Sequence, residues 1–312
     1  MIKTVFLATP DIAVNALEKL IESPEIDVVG VVTMPDRPAG RGCKLHESPI
    51  KQVAVKHGIE LFQTPSISKD REVIERVKEL APDFFVTFAF GQLISQEVID
   101  IPKYCVINLH ASLLPKYRGA NPIQWAVING DAVTGITTMK TVLKMDAGDI
   151  CLKDEIKISE NMSVPELVNE ISEKAPALII KTLKDIVSGD LKPIIQNEEE
   201  VTFAPKFKKE DGIIDFDLSA QEFHNKVRGL QPWPMAYLCR NGKNIQIIET
   251  EISDMDAASA KQGEIICINK FGLTVKCKDK AILIKTVKPE SKGKMCACDF
   301  ANGLRIKKGD IL

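Results

Sequence analysis

The sequence predicts an α/β fold: a Rossmann-like, mostly parallel sheet flanked by helices, followed by a small C-terminal β-barrel domain of the OB type. Three observations predict it. The first half alternates short apolar runs with stretches of helical period, the grammar of βαβ units. After Gly189 comes a stretch with Pro193, Pro205 and the acidic run Glu198 to Glu200 that keeps no period. Beyond it the chain turns to short alternating strands. At 312 residues, one large and one smaller core is the natural division, with a first domain at 1–189, a linker at 190–206 and a β-barrel domain at 207–312.

Taken in order, Thr4 to Ala8 reads as the first strand and Ile12 to Ile21 as the helix that returns from it. Val28 to Thr33 and Pro49 to His57 repeat the unit. Glu60 to Gln63, the charged helix Ser68 to Leu80, the strand Phe84 to Phe88, a short helix near Leu93 to Val98 and the strand Cys105 to His110 continue it. A long helix near Ser163 to Ser188 opens on Ser163-Val164-Pro165-Glu166, a capping Ser followed by Pro and acid in the first turn, and stops at Gly189. In the second half an amphipathic helix, Ser219 to Gly229, precedes Gln231-Pro232-Trp233-Pro234. Strands follow at Ile245 to Glu249, Glu264 to Ile268, Leu273 to Cys277 and Ala281 to Val287. Trp233, set between two prolines, is expected to plug the core at the domain junction rather than to stack on a base.

Hydrophobic residues at 45% and charged residues at 27% exclude a disordered chain. The net charge of −2 hides an asymmetry, because from Lys261 onward there are 12 Lys or Arg against 5 Asp or Glu. Such a local surplus either forms a solvated lysine surface or steers a polyanion through its phosphates. Eight cysteines without an export signal, and no apolar run long enough for a bilayer, lead to the expectation of a cytoplasmic protein with free thiols and no membrane partner. Cys296 and Cys298 form the one close pair. With four histidines and no C-x-x-C, no metal site is expected.

Period two along the strand ending at His110 puts Val106, Asn108 and His110 on one face. Asn108 and His110 then share the strand's carboxyl end, where open α/β sheets bind ligands. They are either a satisfied structural pair or a pair that faces a substrate. Ala111 to Gly119 follows as a loop with an apolar centre, a rigid Pro and a basic edge, shaped for a flat ligand. Met145-Asp146-Ala147-Gly148-Asp149 is a turn between strands, and one of its acids is expected to reach His110. Asn, His and Asp together would supply an oxyanion donor, a proton shuttle and an acid to orient the shuttle.

These residues resemble the folate-dependent formyltransferase family, whose signature is Asn, any residue, His, a Ser-Leu-Leu-Pro loop and a later Asp-Thr-Gly-Asp. Here the sequence is Asn108-Leu109-His110-Ala111-Ser112-Leu113-Leu114-Pro115 and Asp146-Ala147-Gly148-Asp149. The resemblance implies that Asn108, His110 and Asp146 are catalytic. It implies a folate site formed by Ser112, Leu113, Leu114 and Pro115 with Phe88, Phe90 and Gly91, and 10-formyltetrahydrofolate as co-substrate. Two positions depart from the pattern: Ala147 replaces the usual Thr, and Phe90 stands where Tyr is common.

The acceptor is decided elsewhere, since the same trio serves amino sugars, glycinamide ribonucleotide and water. Pro35 to Leu45, with Ala204-Pro205-Lys206 and Gln231 to Pro234, resembles the branch of the family acting on methionyl initiator tRNA. That implies Arg37, Arg41 and Lys44 as tRNA-binding residues and a tRNA-binding role for the second domain, with no DNA partner. A formyltransferase for a nucleotide-linked amino sugar is the alternative, but it would not need the basic loop. A dinucleotide-binding oxidoreductase is disfavoured because Ala8-Thr9-Pro10-Asp11 follows the first strand without G-x-G-x-x-G. A non-catalytic RNA-binding protein would not need the intact trio.

Overall fold

The computed structural model describes residues 1–39, 44–240 and 242–312. The chain divides into two compact units. The first comprises Met1–Gly119, Thr134–Ile156 and Val168–Phe203; the second comprises Ala120–Val133, Lys157–Leu167 and Ala204–Leu312.

The first unit starts with β1 (Ile2–Ala8), a 3-10 turn at Asp11–Ala13 and α1 (Val14–Glu22), then β2 (Ile26–Thr33). A short antiparallel ribbon, β3 (Arg37–Ala39) and β4 (Lys44–His46), follows where the sequence suggested a loop. Its base is fixed by Asp36, which accepts from Lys51 Nζ at 2.5 Å and Gln63 Nε2 at 2.8 Å. The Lys51 ammonium holds the Asp36 carboxyl below its usual range. Next come α2 (Pro49–Lys56), capped by the Ser48 hydroxyl, and β5 (Leu61–Gln63). The helix expected from Ser68 begins later, as α3 (Arg71–Glu79), because Asp70 caps it while Ser68 bonds to Leu93 and Ser95 instead.

β6 (Phe84–Phe88), the one-turn α4 (Gln96–Ile99) and β7 (Cys105–His110) complete the parallel part. β8 (Arg118–Gly119) follows, then α5 (Pro122–Ile128) in the second unit, and then β9 (Val133–Lys140) and β10 (Ile150–Lys157), which return to the sheet. The seven strands lie in the order β10-β9-β7-β6-β1-β2-β5. β1, β2, β5, β6 and β7 pair in parallel, and β9 runs antiparallel to β7. The order reverses between β1 and β6, whose carboxyl ends therefore mark the switch point at which open α/β sheets bind ligands, with β7 next to β6. β6 is buried throughout and β1 from Thr4 onward, so the centre of the sheet is closely packed.

The long helix α6 (Val164–Ser188) carries Pro176 in its interior. Proline has no N–H to give the carbonyl four residues back, so Ser172 O needs another donor. Asn15 Nδ2 supplies it from α1 at 2.8 Å. The stretch from Asp190, expected as a linker, packs with the first unit as far as Phe203: Ile194 bridges Ile150 and Gln196 is buried.

β11 (Phe203–Ala204) spans the last division between the units, and α7 (Ala220–Gly229), whose capping Ser219 forms a capping box with Glu222, follows in the second unit. β12 (Tyr237–Arg240), β13 (Lys243–Ser253), β14 (Ile265–Asn269), β15 (Gly272–Lys276) and β16 (Ala281–Pro289) form an antiparallel sheet in the order β12-β13-β16-β15-β14, with β17 (Met295–Cys296) on β16. α7 packs on β13 and β16, and α8 (Ala297–Gly303) on β14 to β16. This is the small β domain expected. Cys277 lies in its core, where burial pushes the thiol up to about 12, so it behaves as a small apolar residue.

α5 and residues 157–167 join this unit for visible reasons. Trp125 stacks on Phe207 with centroids 4.9 Å apart and donates to Pro205 O. Gly229 sits where an added Cβ would lie 2.5 Å from Ile128 Cγ1. Trp233 is 53% exposed, so it plugs no core; Trp125 does.

His224, on α7, is buried between Thr250 Oγ1 at 2.9 Å and Glu160 O at 3.3 Å. Nε2 donates to the carbonyl, and the neutral ring accepts at Nδ1 from the hydroxyl. Burial, and then the nearby Arg228 cation, hold its pKa below the ordinary 6.5. Below about 6.5 the unfolded chain therefore takes up a proton that the folded protein refuses, and stability falls as pH drops through that range. The unfolding midpoint in urea should decrease between pH 7.5 and 5.5, and by less in His224→Gln. An identical decrease in both proteins would exclude His224 as the source.

Candidate active site

Three adjacent strands build the site. In the parallel pairing of β6 with β7, Thr87 sits beside Asn108, and in the antiparallel pairing of β7 with β9, His110 sits beside Thr137. The first juxtaposition fixes an amide: Thr87 Oγ1 donates to Asn108 Oδ1 at 2.8 Å. That commits the oxygen end inward and leaves Nδ2 as a donor at the strand's open end. The second braces the following loop. Thr137 Oγ1 accepts from Leu114 N at 3.2 Å and donates to Ser112 O at 2.6 Å.

His110 is 5% exposed, and its Nε2 lies 2.9 Å from Tyr117 O. A carbonyl only accepts, so Nε2 carries the hydrogen and Nδ1 is the nitrogen left for proton exchange. Asp146 Oδ2 stands 3.6 Å from Nδ1. The same oxygen accepts the Gly119 N–H at 2.8 Å. Asp146 thus faces an imidazole it can stabilise as a cation, while a backbone donor keeps its carboxylate in place.

The turn that presents Asp146 is tightly specified. Asp146 has φ of 51°, a left-handed conformation in which Asp is among the more tolerated residues. Gly148 passes so close to Lys140 O that an added Cβ would lie 1.7 Å from it, which only glycine accommodates. Of the two acids in the turn, Asp146 reaches His110. Asp149 contributes its carbonyl, which accepts from Lys140 N at 3.0 Å.

The residues assigned to the folate occupy different environments. Leu113 and Pro115 are partly exposed and Gly91 is exposed, with φ of 75°. Phe88 and Phe90 are 2% and 5% exposed, and Phe90 packs with Val5, Leu7 and Phe85. Leu114 packs with Met139 and Ile150. Ser112 Oγ is committed to Lys116 O at 2.6 Å. Of the seven, only Leu113, Pro115 and Gly91 offer accessible surface to a ligand; the rest are buried behind them. Next to Gly91, Gln92 accepts from Ile67 N at 2.7 Å and donates to Thr64 O at 2.8 Å.

Of the basic trio, Arg37 is exposed on β3 and Lys44 begins β4, whereas Arg41 lies outside the described residues. Among the described residues, Cys296, Cys298 and Asp299 bring three potential metal ligands within 4.8 Å of one another. They come from four consecutive residues and enclose only one side of an ion. No helix among the described residues is long and apolar enough to cross a membrane.

The sequence offered no sign of Gln196 in the site, and showed Arg118 only as part of the basic edge of the loop after His110. Gln196 Nε2 donates to Asp146 O at 2.9 Å and to Gly148 O at 2.7 Å, and its Oε1 accepts from Arg118 Nε at 3.0 Å. The only sequence trace of Gln196 is an uncharged amide beside the run of three glutamates, in a stretch without period.

Comparison with known proteins gives a consistent result. Residues 2–183 match the formyl transferase family, and residues 206–305 match the formyl transferase C-terminal domain. Proteins named methionyl-tRNA formyltransferase from Clostridium tetani and Clostridium acetobutylicum are each 44% identical over 312 residues, covering the whole of both chains. Among solved structures, WlaRD, a sugar 3N-formyl transferase, covers 94% of this chain and 99% of its own, with TM-score 0.67 and 17% identity. HypX from Aquifex aeolicus, in complex with tetrahydrofolic acid, covers 99% of this chain and 48% of its own, with TM-score 0.63 and 17% identity. At such identity the two structures speak for the fold alone, whereas the sequence matches extend across both units: the chain belongs to the formyl transferase family.

Proposed function

We propose that this protein transfers the formyl group of 10-formyltetrahydrofolate to the α-amino group of methionyl initiator tRNA, releasing tetrahydrofolate and N-formylmethionyl-tRNA. The observation that carries the chemistry is the free Asn108 Nδ2 donor beside a His110–Asp146 pair at the carboxyl end of β7. The 44% identity over full length to proteins named for this acceptor carries its identity. The amine attacks the formyl carbon, and a tetrahedral centre forms with negative charge on oxygen. Asn108 donates to that oxygen. His110 relays a proton to the leaving folate nitrogen through Nδ1, with Asp146 stabilising its charged form. The C–N bond to folate then breaks and the formyl group stays on the amine. No covalent enzyme intermediate is required. The acceptor is a component of translation, which places the reaction in the cytoplasm.

In this reading Ser112 to Pro115, Phe88, Phe90 and Gly91 form the folate wall. Arg37 and Lys44 on the β3–β4 ribbon, with Arg41 from the sequence between them, bind the acceptor end of the tRNA, and the second unit, with its lysine-rich terminal stretch, holds more distant phosphates. The test incubates the protein with labelled 10-formyltetrahydrofolate and, separately, methionyl initiator tRNA, the same tRNA uncharged, an amino-sugar nucleotide, or no acceptor. Label should move only to the charged tRNA; movement to the sugar or release as formate would overturn the acceptor. Arg41→Ala should raise KM for charged tRNA about tenfold, as expected for one lost charged contact. Folate affinity should not change.

A further inference from the structure

We propose that Gln196 is a positioning residue for formyl transfer: it acts through Asp146, holding that carboxylate against His110, and takes its own orientation from Arg118. The inference rests on the reading of His110 and Asp146 given above. Its ground is a set of hydrogen bonds that leaves the Gln196 amide a single orientation. Arg118 Nε can only donate, so the Gln196 end facing it at 3.0 Å is the oxygen. The nitrogen end must then face the carbonyls of Asp146 and Gly148, at 2.9 and 2.7 Å, and both are acceptors. Gln196 is 5% exposed, so water does not readily replace it.

One of those carbonyls belongs to Asp146, the residue held at positive φ, and the other to Gly148 two residues on, so a single amide ties both ends of the turn that presents the carboxylate. With the turn held, Asp146 Oδ2 reaches Gly119 N and faces His110 Nδ1. Arg118 is itself anchored. It is 1% exposed, its N–H donates to Thr202 O at 2.9 Å, and its Nη2 donates to Glu198 Oε1 at 3.0 Å. Glu198 Oε2 in turn accepts from Lys144 Nζ at 2.9 Å, just before the turn. Arg118 also follows Tyr117, whose carbonyl takes the His110 Nε2–H. One network therefore reaches both nitrogens of the imidazole, one through Asp146 and the other through the Tyr117 carbonyl.

The experiment is a double-mutant cycle in single-turnover kinetics. Gln196→Ala should lower the transfer rate about tenfold, equivalent to about 1.4 kcal/mol, with KM for both substrates changed less than about twofold. In an Asp146→Asn background the same change should cost less than about twofold, because the residue acts through the carboxylate already removed. Gln196→Glu keeps the acceptor for Arg118 but loses the donor, and should behave like Ala. A full tenfold loss in the Asp146→Asn background, or a loss confined to KM, would overturn the proposal. The cycle runs on whichever formyl acceptor the wild-type protein uses, water included, so a wrong acceptor and a wrong role for Gln196 give different results. A readout without turnover is the His110 imidazole NMR signal. It should move in Gln196→Ala in the direction it moves in Asp146→Asn, and an unmoved signal would refute the coupling.

Discussion

His110→Ala should leave a folded protein that binds both substrates and transfers formyl on the order of a thousandfold more slowly, within the range for a lost proton-transfer group. Its ring is nearly enclosed, with Nε2 donating to Tyr117 O and Nδ1 facing Asp146 at 3.6 Å. An enclosed ring with one nitrogen tied to backbone contributes little surface to ligand binding. In the proposed mechanism it contributes a nitrogen that gains a proton as the tetrahedral centre forms and gives it up as the folate nitrogen leaves. The substitution should therefore appear in the chemical step alone. Single-turnover transfer of a labelled formyl group, beside equilibrium binding of folate and of charged tRNA, separates the two. If folate affinity fell in proportion to the rate, His110 would be a binding residue and the assignment would fail.

How much of this was legible in the sequence depends on what each residue had to reveal. β6 and β7 were legible to the residue, because Phe84 to Phe88 and Cys105 to His110 are runs whose burial and alternation leave little freedom. The shared face of Asn108 and His110 followed from period two. What joins Asn108 to Thr87 did not follow, since it depends on β6 and β7 being neighbours in parallel register. The approach of Asp146 was open for a related reason. It needs β9 to reverse direction against β7, and a sequence does not display strand order. The residues after Asp190 were misread on physical grounds: prolines and acids hide a segment that bonds to the first unit through a backbone bridge at Ile194, the buried Gln196 amide, Glu198 and Thr202. A segment held by scattered polar contacts at Ile194, Gln196, Glu198 and Thr202 has no hydrophobic period to announce it. Trp233 shows the reverse error, because flanking prolines suggested a plug where Trp125 does that work from α5.

Asn108→Ala is the sharper test of mechanism, with an expected loss in turnover of about a hundredfold or more, the effect of removing one oxyanion donor worth about 3 kcal/mol. The side chain is already oriented before any substrate arrives, since the Thr87 hydroxyl holds Oδ1 and only Nδ2 can face outward. A donor fixed in this way costs no reorganisation when charge appears on the formyl oxygen. It is worth more in the transition state than toward the neutral formyl group of the bound donor, so the loss should fall on kcat rather than KM. Asn108→Asp makes the distinction clean. It keeps size and can still accept from Thr87, but it replaces the donor with a second acceptor and a negative charge where negative charge must develop. Turnover should fall at least as far as in Asn108→Ala. If Asn108→Asp instead retained most of the activity, the group at this position would be filling space, and oxyanion stabilisation would have to come from elsewhere in the crevice.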